Sequence, residues 1–446
     1  MIDGYALIRC NGLILTSKDI DLDLESCKRM MGKNSSRREF VFKKDGFTAL
    51  CYCKYLQTPD PEDQGRIIML NGDIYYNSNS NSSSSSSSVG SLHDLHSMLA
   101  RSDGNYALAC IDISNGVIAF ARDPLGSKPL YYEHDGSSNI TIASDRRVLN
   151  SCVEAEPGTL YVFRLGLGME MIRFSPIEYK PYVDVSMDDA IEHTRHLIST
   201  SLIRRLSGRS RIVVGVSGVD SIILAMLSDR ILDVMPVTVC SKGSYDEVNA
   251  RYVQEMTGLR THILMLDEQD LLNIINEIST LDLDFASTMD VSIACVVYAL
   301  ARFARDNGVD AIMLGQLADE LFGGYARYLR YDYRSSNSSI HNDLNMILFN
   351  DLKKASHDLC RDESIASSMP VDLLLPYASV ELARYVVNLP AEFKVDAVNG
   401  VRKLLLRKVA ESIGVAHELA YREKKAMQFS TGIFKIVKRL SKALNR

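Results

Sequence analysis

Two acidic turns in this chain carry residue types that handle phosphate. The first is Ser217-Gly218-Val219-Asp220-Ser221, which follows the β-branched run Ile212–Val216 and leads into the helical segment Ile222–Leu227. A strand, a tight polar loop and a helix together turn backbone N–H groups and the positive helix end toward a phosphate. The second turn is Gly315–Tyr325, reading G-Q-L-A-D-E-L-F-G-G-Y after the strand pattern Ala311–Leu314. Parallel strands of a doubly wound sheet bring their C-terminal ends to one edge. Asp220 and Asp319 are therefore expected to converge on one Mg2+ held against phosphate oxygens. The plainer alternative is that Ser217 or Asp220, and likewise Asp319 and Glu320, only cap the helices after them.

The elements around these turns read as alternating strand and helix. Helical patterns at Met187–Leu206, Asp246–Met256, Glu268–Ile278 and Val291–Asn307 are interleaved with strand patterns at Ile212–Val216, Met235–Cys240, Thr261–Leu266 and Ala311–Leu314. Such alternation predicts a parallel sheet with helices on both faces. From Asp319 onward the chain reads as nearly all helix. Before about Arg173 it reads as β-rich, with short apolar runs at Tyr5–Arg9, Gly46–Tyr52, Ile67–Leu70, Tyr106–Ile111, Val117–Ala121, Ile140–Ala143 and Thr159–Arg164. Their spacing predicts stacked sheets, with one helix at Leu92–Ala100. Pro176 and Pro181 break the pattern and place a boundary near Glu178–Val185. Ser78–Ser88 is almost pure Ser and Asn and reads as a loop without structure of its own, as does the shorter Arg334–Ser339.

At 446 residues the chain is long enough for two domains. Its net charge of -6 gives no electrostatic reason to expect nucleic acid. The basic Lys435–Lys442 stretch reads as the end of a final helix, with cations at its negative pole. The 9 cysteines form no C-x-x-C pair, so neither a zinc site nor a redox motif is indicated. Buried free thiols are expected, Cys10 among them, with Cys51 and Cys53 on one strand face. No window is long and apolar enough to span a membrane, and acidic residues near the start are unlike a signal peptide. A cytoplasmic protein is expected.

Taken together, the motifs resemble those of the glutamine-hydrolysing asparagine synthetases, over nearly the whole chain. Ser217–Ser221 resembles the pyrophosphate loop S-G-G-x-D-S of ATP pyrophosphatases, one residue shorter, and Gly315–Tyr325 is similar to S-G-E-G-S-D-E-x-F-G-G-Y. Leu375-Pro376-Tyr377, Leu389–Lys394, Lys403–Arg407 and Arg422–Phe429 resemble the later family motifs. In the N-terminal half, Leu70–Asn77 is similar to N-G-E-I-Y-N. Arg122–Tyr132 is similar to R-D-x-x-G-x-K-P-L-Y-Y, and Ala143-Ser144-Asp145 to A-S-E. Met289–Ala294 and the K-x-A-M-Q-F flavour lie nearest the branch called asparagine synthetase domain-containing proteins.

The resemblance implies an α/β protein of two domains. Residues 1–180 would form an Ntn-type αββα glutaminase-like sandwich. Residues 185–446 would form a doubly wound ATP-pyrophosphatase domain of the adenine nucleotide α-hydrolase-like kind. It implies ATP bound by Val216, Ser217, Gly218, Asp220, Ser221, Leu314 and Gly315, with Mg2+ on Asp220 and Asp319. It places Lys424 and Lys425 at the adenylate, and Gln316 where the family has the glutamate that handles the ammonia proton. An amide cannot take that proton. The family's nucleophile is a cysteine at position 2, where this chain has Ile2, and the carboxylate of its G-S-D turn is missing from Gly90-Ser91-Leu92. The substrate arginine falls near Lys54. A covalent glutaminase needs that nucleophile, so no glutamine hydrolysis is expected, and Asn71-Gly72 becomes a turn of the scaffold. Two readings stay open. One is an ATP-dependent ligase making asparagine from aspartate and free ammonia. The other is a catalytically degenerate nucleotide-binding scaffold or subunit, with a protein partner or a second copy of itself.

Overall fold

The computed structural model describes residues 6–16, 38–44, 47–57, 66–76, 92–136, 138–174, 177–182, 184–330, 344–422 and 427–444. Ile2, Ser78–Ser88, Gly90-Ser91, Arg334–Ser339, Lys424 and Lys425 lie outside the described residues, and for Cys10, Cys51, Cys53 and Lys54 only the backbone is described. The chain divides into two units, Met1–Ile177 and Glu178–Arg446.

The first unit is built on β-strands. They are β1 (Ala6–Thr16), β2 (Arg38–Lys44), β3 (Phe47–Gln57), β4 (Arg66–Tyr76), β5 (Ser102–Asp112), β6 (Val117–Arg122), β7 (Tyr131–His134), β8 (Ile140–Ala143), β9 (Val153–Glu154), β10 (Thr159–Arg164) and β11 (Gly168–Arg173). One long path runs β11-β10-β6-β5-β4-β1-β8-β7-β9, with β3 and β2 branching from β1. The strand period of two explains the packing. In β5, Tyr106, Leu108 and Cys110 join Leu95 and Leu99 of helix α1 (Leu92–Ala100) in one core. The intervening Ala107, Ala109 and Ile111 join Leu13, Leu15, Tyr132 and Ile142 in another. Helix α1 therefore packs on one face of β5, and a second apolar core lies on its other face. A second outer layer of α-helix, which an αββα sandwich requires, is absent among the described residues.

The second unit begins with α2 (Met187–Leu206) and then alternates. The elements are β12 (Arg211–Gly215), α3 (Val219–Asp229), β13 (Asp233–Cys240), α4 (Tyr245–Thr257), β14 (His262–Met265), α5 (Glu268–Ser279), α6 (Thr288–Asp306), β15 (Ala311–Met313) and α7 (Ala318–Phe322). There follow α8 (Leu344–Lys354), α9 (Ser356–Ser368), β16 (Asp372–Leu374), α10 (Val380–Val387), α11 (Ala391–Lys394), β17 (Val395–Asp396) and β18 (Val401–Arg402). The last elements are α12 (Leu404–Ser412), α13 (His417–Ala420), α14 (Met427–Ser430) and α15 (Ile433–Leu444). The sheet order is β14-β13-β12-β15-β16, parallel throughout. Ile212, Val213 and Val214 are completely buried, which is why β12 reads as a continuous apolar run and not an alternating one.

Beyond Asp319 the chain is mostly helix, as expected, and β16 adds a short strand to the sheet. Three residues suffice for a strand when its neighbour is already in place, as β15 is through the Ala311–Asp372 to Met313–Leu374 register. Cys110, Cys240, Cys295 and Cys360 are free and buried, and burial pushes the Cys110 and Cys295 thiols up to about 12. No helix among the described residues is long and apolar enough to cross a membrane.

Candidate active site

In the strand order above, the chain reverses direction of winding between β12 and β15. That switch point is where an open α/β sheet leaves a crevice at its carboxyl edge. Both acidic turns are there. β12 ends at Gly215, where a Cβ would lie 2.9 Å from side-chain carbons of both Leu300 and Leu314. Val216 is buried; its N–H donates to the Val237 carbonyl (2.8 Å) and its carbonyl accepts from Thr238 Oγ1 (2.7 Å). Gly218 is then the N-cap of α3, with open space where a side chain would stand.

No side chain caps α3. Helices α2, α4, α5, α6 and α10 are each capped, by Ser186, Ser244, Asp267, Ser287 and Ser379. An uncapped first turn keeps its N–H groups for an anion. Ser217 serves the loop instead of the helix: its N–H donates to Ser221 Oγ (3.0 Å), which itself donates to the Gly218 carbonyl (2.9 Å). The helix-capping alternative for Ser217 and Asp220 is thus not realised. Nor do Asp319 and Glu320 cap α7, whose N-cap is Leu317 in the left-handed region, without a side-chain bond.

Asp220 and Asp319 reach a common cation, Lys403. Its Nζ lies 2.5 Å from Asp220 Oδ2 and 2.8 Å from Asp319 Oδ1, and the ammonium is completely buried. Burial alone pulls a lysine down, but the Asp220 and then the Asp319 charge outweigh it and hold Lys403 well above its ordinary value. The backbone is bent to achieve this. Lys403 adopts φ 56, a left-handed conformation rare for lysine, where it opens α12. Arg402 fixes it from one side by donating to the Gly324 carbonyl (2.8 Å). Gly324 must be glycine: a Cβ there would fall 1.6 Å from Asp319 Oδ1 and 2.3 Å from Lys403 Cε. Gly315 is less tightly confined, its Cβ position lying 3.1 Å from Asp220 Cβ. Tyr377 adds a hydrogen bond from its hydroxyl to the Asp220 carbonyl (2.9 Å). Beside this trio, Glu320 is buried against Tyr325, whose hydroxyl donates to it; burial and then Asp319 push the Glu320 carboxyl up.

Two further walls complete the site. On α4, Asp246 accepts from Ser217 Oγ (3.0 Å) and from Ser430 Oγ (2.7 Å), and Asn249 Nδ2 donates to the Ser217 carbonyl (2.7 Å). Burial raises the Asp246 carboxyl, against the pull of those two hydroxyls. On the other side Gln316 donates its amide to Asp362 of α9, which Arg361 also grips. Gly215, Ser217, Gly218, Asp220, Ser221, Asn249, Leu314, Gly315, Gln316, Asp319 and Arg361 line one cavity of about 290 Å³. Lys424 and Lys425 lie outside the described residues, but the segments flanking them are tethered. Arg407 Nη1 donates to the carbonyls of Ala420 (2.5 Å) and Arg422 (3.2 Å), and Ser241 N–H donates to the Thr431 carbonyl (2.8 Å).

Sequence reasoning had no means of assigning Asp246, Asn249, Arg361 or Asp362. Asp246 was legible only as a residue in the first turn of a helix after a strand. Lys403 was legible as part of a motif but not as the partner of both carboxylates.

In the first unit Asn71 and Gly72 lie inside β4, paired with Ala107 and Tyr106 of β5, and not in a turn between strands as expected. Arg122 is buried on Glu154 (2.5 Å) and on the Gly126 and Ala155 carbonyls (2.5 and 3.1 Å). Asp123 accepts from the N–H groups of Leu125 (3.0 Å) and Ser127 (2.9 Å) and from Ser127 Oγ (2.7 Å). Gly72 sits at φ +97, where a Cβ would strike the Asn105 carbonyl oxygen at 2.0 Å.

A parallel sheet with an uncapped helix N-terminus and paired carboxylates at its switch point makes the second unit a doubly wound α/β domain with a polar crevice at its carboxyl edge. The asparagine synthase family profile matches residues 193–354 and 332–445, more than half the chain, and the glutamine amidotransferase domain profile matches 61–151. The chain belongs to the asparagine synthase family. It is 25% identical over 395 residues to a Methanocaldococcus jannaschii protein provisionally named asparagine synthetase (glutamine-hydrolyzing) 1, covering 77% of this chain and 72% of that one. It is 23% identical over 410 residues to asparagine synthetase (glutamine-hydrolyzing) of Asparagus officinalis, covering 83% and 66%. With asparagine synthetase (glutamine-hydrolyzing) 3 of Arabidopsis thaliana the identity is 24% over 409 residues, covering 83% and 68%.

Proposed function

We propose that the protein is an ATP-dependent amide ligase that makes asparagine, AMP and pyrophosphate from aspartate, ATP and ammonia, taking free ammonia and not glutamine. The observation that carries this reading is the uncapped N-terminus of α3, set at the switch point beside Asp220, Lys403 and Asp319. The aspartate β-carboxylate would attack the ATP α-phosphorus and expel pyrophosphate, and ammonia would then displace AMP from the adenylate.

Such transfer depends on positioning and on stabilising charge. The first-turn N–H groups of α3 would receive the pyrophosphate. Leu314 and Gly315 would border the nucleotide, whereas Val216, buried and bonded within the sheet, would not, and Lys424 or Lys425 would stabilise charge on the adenylate. The donor chemistry at Asp220 and Asp319 fits Mg2+, since both offer hard carboxylate oxygens and already converge on one cation. Bound there, the ion would neutralise phosphate charge.

The test is incubation with ATP, magnesium, aspartate and ammonium, measuring pyrophosphate and asparagine together. Both should form, and neither should form with Asp319→Ala. ATP binding without pyrophosphate release above that control would overturn the ligase and leave a nucleotide-binding scaffold. Glutamate released from glutamine would overturn the use of free ammonia.

A further inference from the structure

Asp246 joins two parts of the second unit that are far apart in the chain. Its Oδ2 accepts from Ser217 Oγ (3.0 Å), in the loop before α3, and from Ser430 Oγ (2.7 Å), at the end of α14. Its other oxygen, Oδ1, is buried and has no hydrogen-bond partner among the described residues. The residue is 1% exposed, so two hydroxyls share one carboxylate oxygen away from bulk water. Ser430 opens a stretch pinned across the carboxyl end of β13. Ser241 donates to the Thr431 carbonyl from both its N–H (2.8 Å) and its Oγ (3.1 Å), and the Ile433 N–H donates to Thr431 Oγ1 (3.3 Å). Between them Gly432 sits at φ +76, where a Cβ would strike Ser241 Oγ, so this close approach needs glycine. Helix α15 starts directly behind, at Ile433. The Ser241 amide therefore reports whether the stretch is docked.

We propose that Asp246 couples the loop before α3 to the docking of the C-terminal segment Ser430–Leu444, so that a phosphate anion at the N-terminus of α3 tightens that segment. The proposal rests on the phosphate site of the reading above, though not on turnover. Two donors on one oxygen compete for the same negative charge, so drawing one away strengthens the other. A phosphate oxygen recruits the Ser217 hydroxyl, and the carboxylate then turns its charge wholly to Ser430. Linkage requires the converse. Without the Ser430 hydroxyl, Asp246 grips Ser217 harder, and an incoming phosphate has to break a stronger bond.

Amide hydrogen exchange of the full chain, read by mass spectrometry with pyrophosphate as the probe, tests the coupling. In the wild type, saturating pyrophosphate should slow exchange at Ser241 and across Ser430–Ile433 by at least about threefold, a part of the tenfold or more that a whole hydrogen bond to a charged group is worth. Ser217→Ala leaves Asp246 to Ser430 alone. Without any ligand this variant should already exchange as slowly there as the wild type does with pyrophosphate, and pyrophosphate should slow it no further. Ser430→Ala should raise the pyrophosphate Kd at least about threefold, although Ser430 does not border the cavity. Exchange in ligand-free Ser217→Ala that is unchanged or faster overturns the proposal, as does an unchanged Kd in Ser430→Ala. If Ser430→Ala shows no cooperative melting, the Ser217→Ala comparison decides alone, since it leaves the C-terminal segment intact. Pyrophosphate that leaves exchange in the first turn of α3 unaltered defeats the phosphate site, and the proposal with it. Slowed exchange in α3 with none at Ser241 overturns the coupling alone.

Discussion

Replacing Lys403 by methionine keeps the stem of the side chain and removes the charge between Asp220 and Asp319. The two carboxylate oxygens are then at most about 5 Å apart with no cation between them. At an effective dielectric constant near 20 their repulsion is about 3 kcal/mol. The Asp220 side chain is 14% exposed and that of Asp319 28%, so solvent relieves part of this. Losing one partner of a buried ion pair typically costs about 3–5 kcal/mol, and the lower end is expected here.

The pH dependence follows from the sign of each shift. The folded Lys403 value is raised, so its contribution is full below the unfolded value of about 10.5 and is lost only as pH climbs through the higher folded one. The gap between wild type and Lys403→Met should hold steady from neutral to mildly alkaline pH. In acid the variant can relieve itself by protonating one carboxylate, and the gap should narrow. Urea denaturation followed by far-UV circular dichroism measures this, the chain having no tryptophan to report fluorescence. Millimolar magnesium should restore part of the loss if the two carboxylates can hold it. A variant within about 0.5 kcal/mol of wild type at neutral pH, the ordinary range of a surface substitution, would refute the reasoning.

Gly324→Ala places a methyl group on Asp319 Oδ1 and Lys403 Cε. It should destabilise the second unit by about 1–3 kcal/mol in the same urea assay and abolish pyrophosphate release. Glu320→Gln keeps the acceptor for Tyr325 but removes a buried carboxyl whose folded value is raised. Wild-type stability is therefore lost as pH rises through that value, and the variant should melt above wild type at neutral pH, the difference vanishing near pH 4, roughly the unfolded carboxyl value. Asp246→Ala severs Ser217 from Ser430. Amide exchange at Ser241 and around Ser430–Ile433 should quicken about tenfold or more, read by mass spectrometry, while exchange in α10 is unaffected.

The sequence by itself pointed to a boundary near Glu178–Val185, to the alternation of strand and helix across Met187–Met313, and to the loop Ser217–Ser221. It also identified the second turn at Gly315–Tyr325. Each of these is written in local periodicity or in a short run of small and acidic residues, because burial of one face or a tight turn restricts residue types within a few positions. The strands β5, β6 and β10 were legible as short apolar runs, because both of their faces are buried. What only the tertiary structure decided are contacts between distant positions. Lys403 lies 183 residues from Asp220, and Asp362 lies 46 residues from Gln316. β16 is too short to show a period and exists because β15 offers it an edge. The sequence located the two carboxylates and the amide. Which cation the carboxylates hold, and which acid the amide donates to, depended on partners that local pattern does not encode.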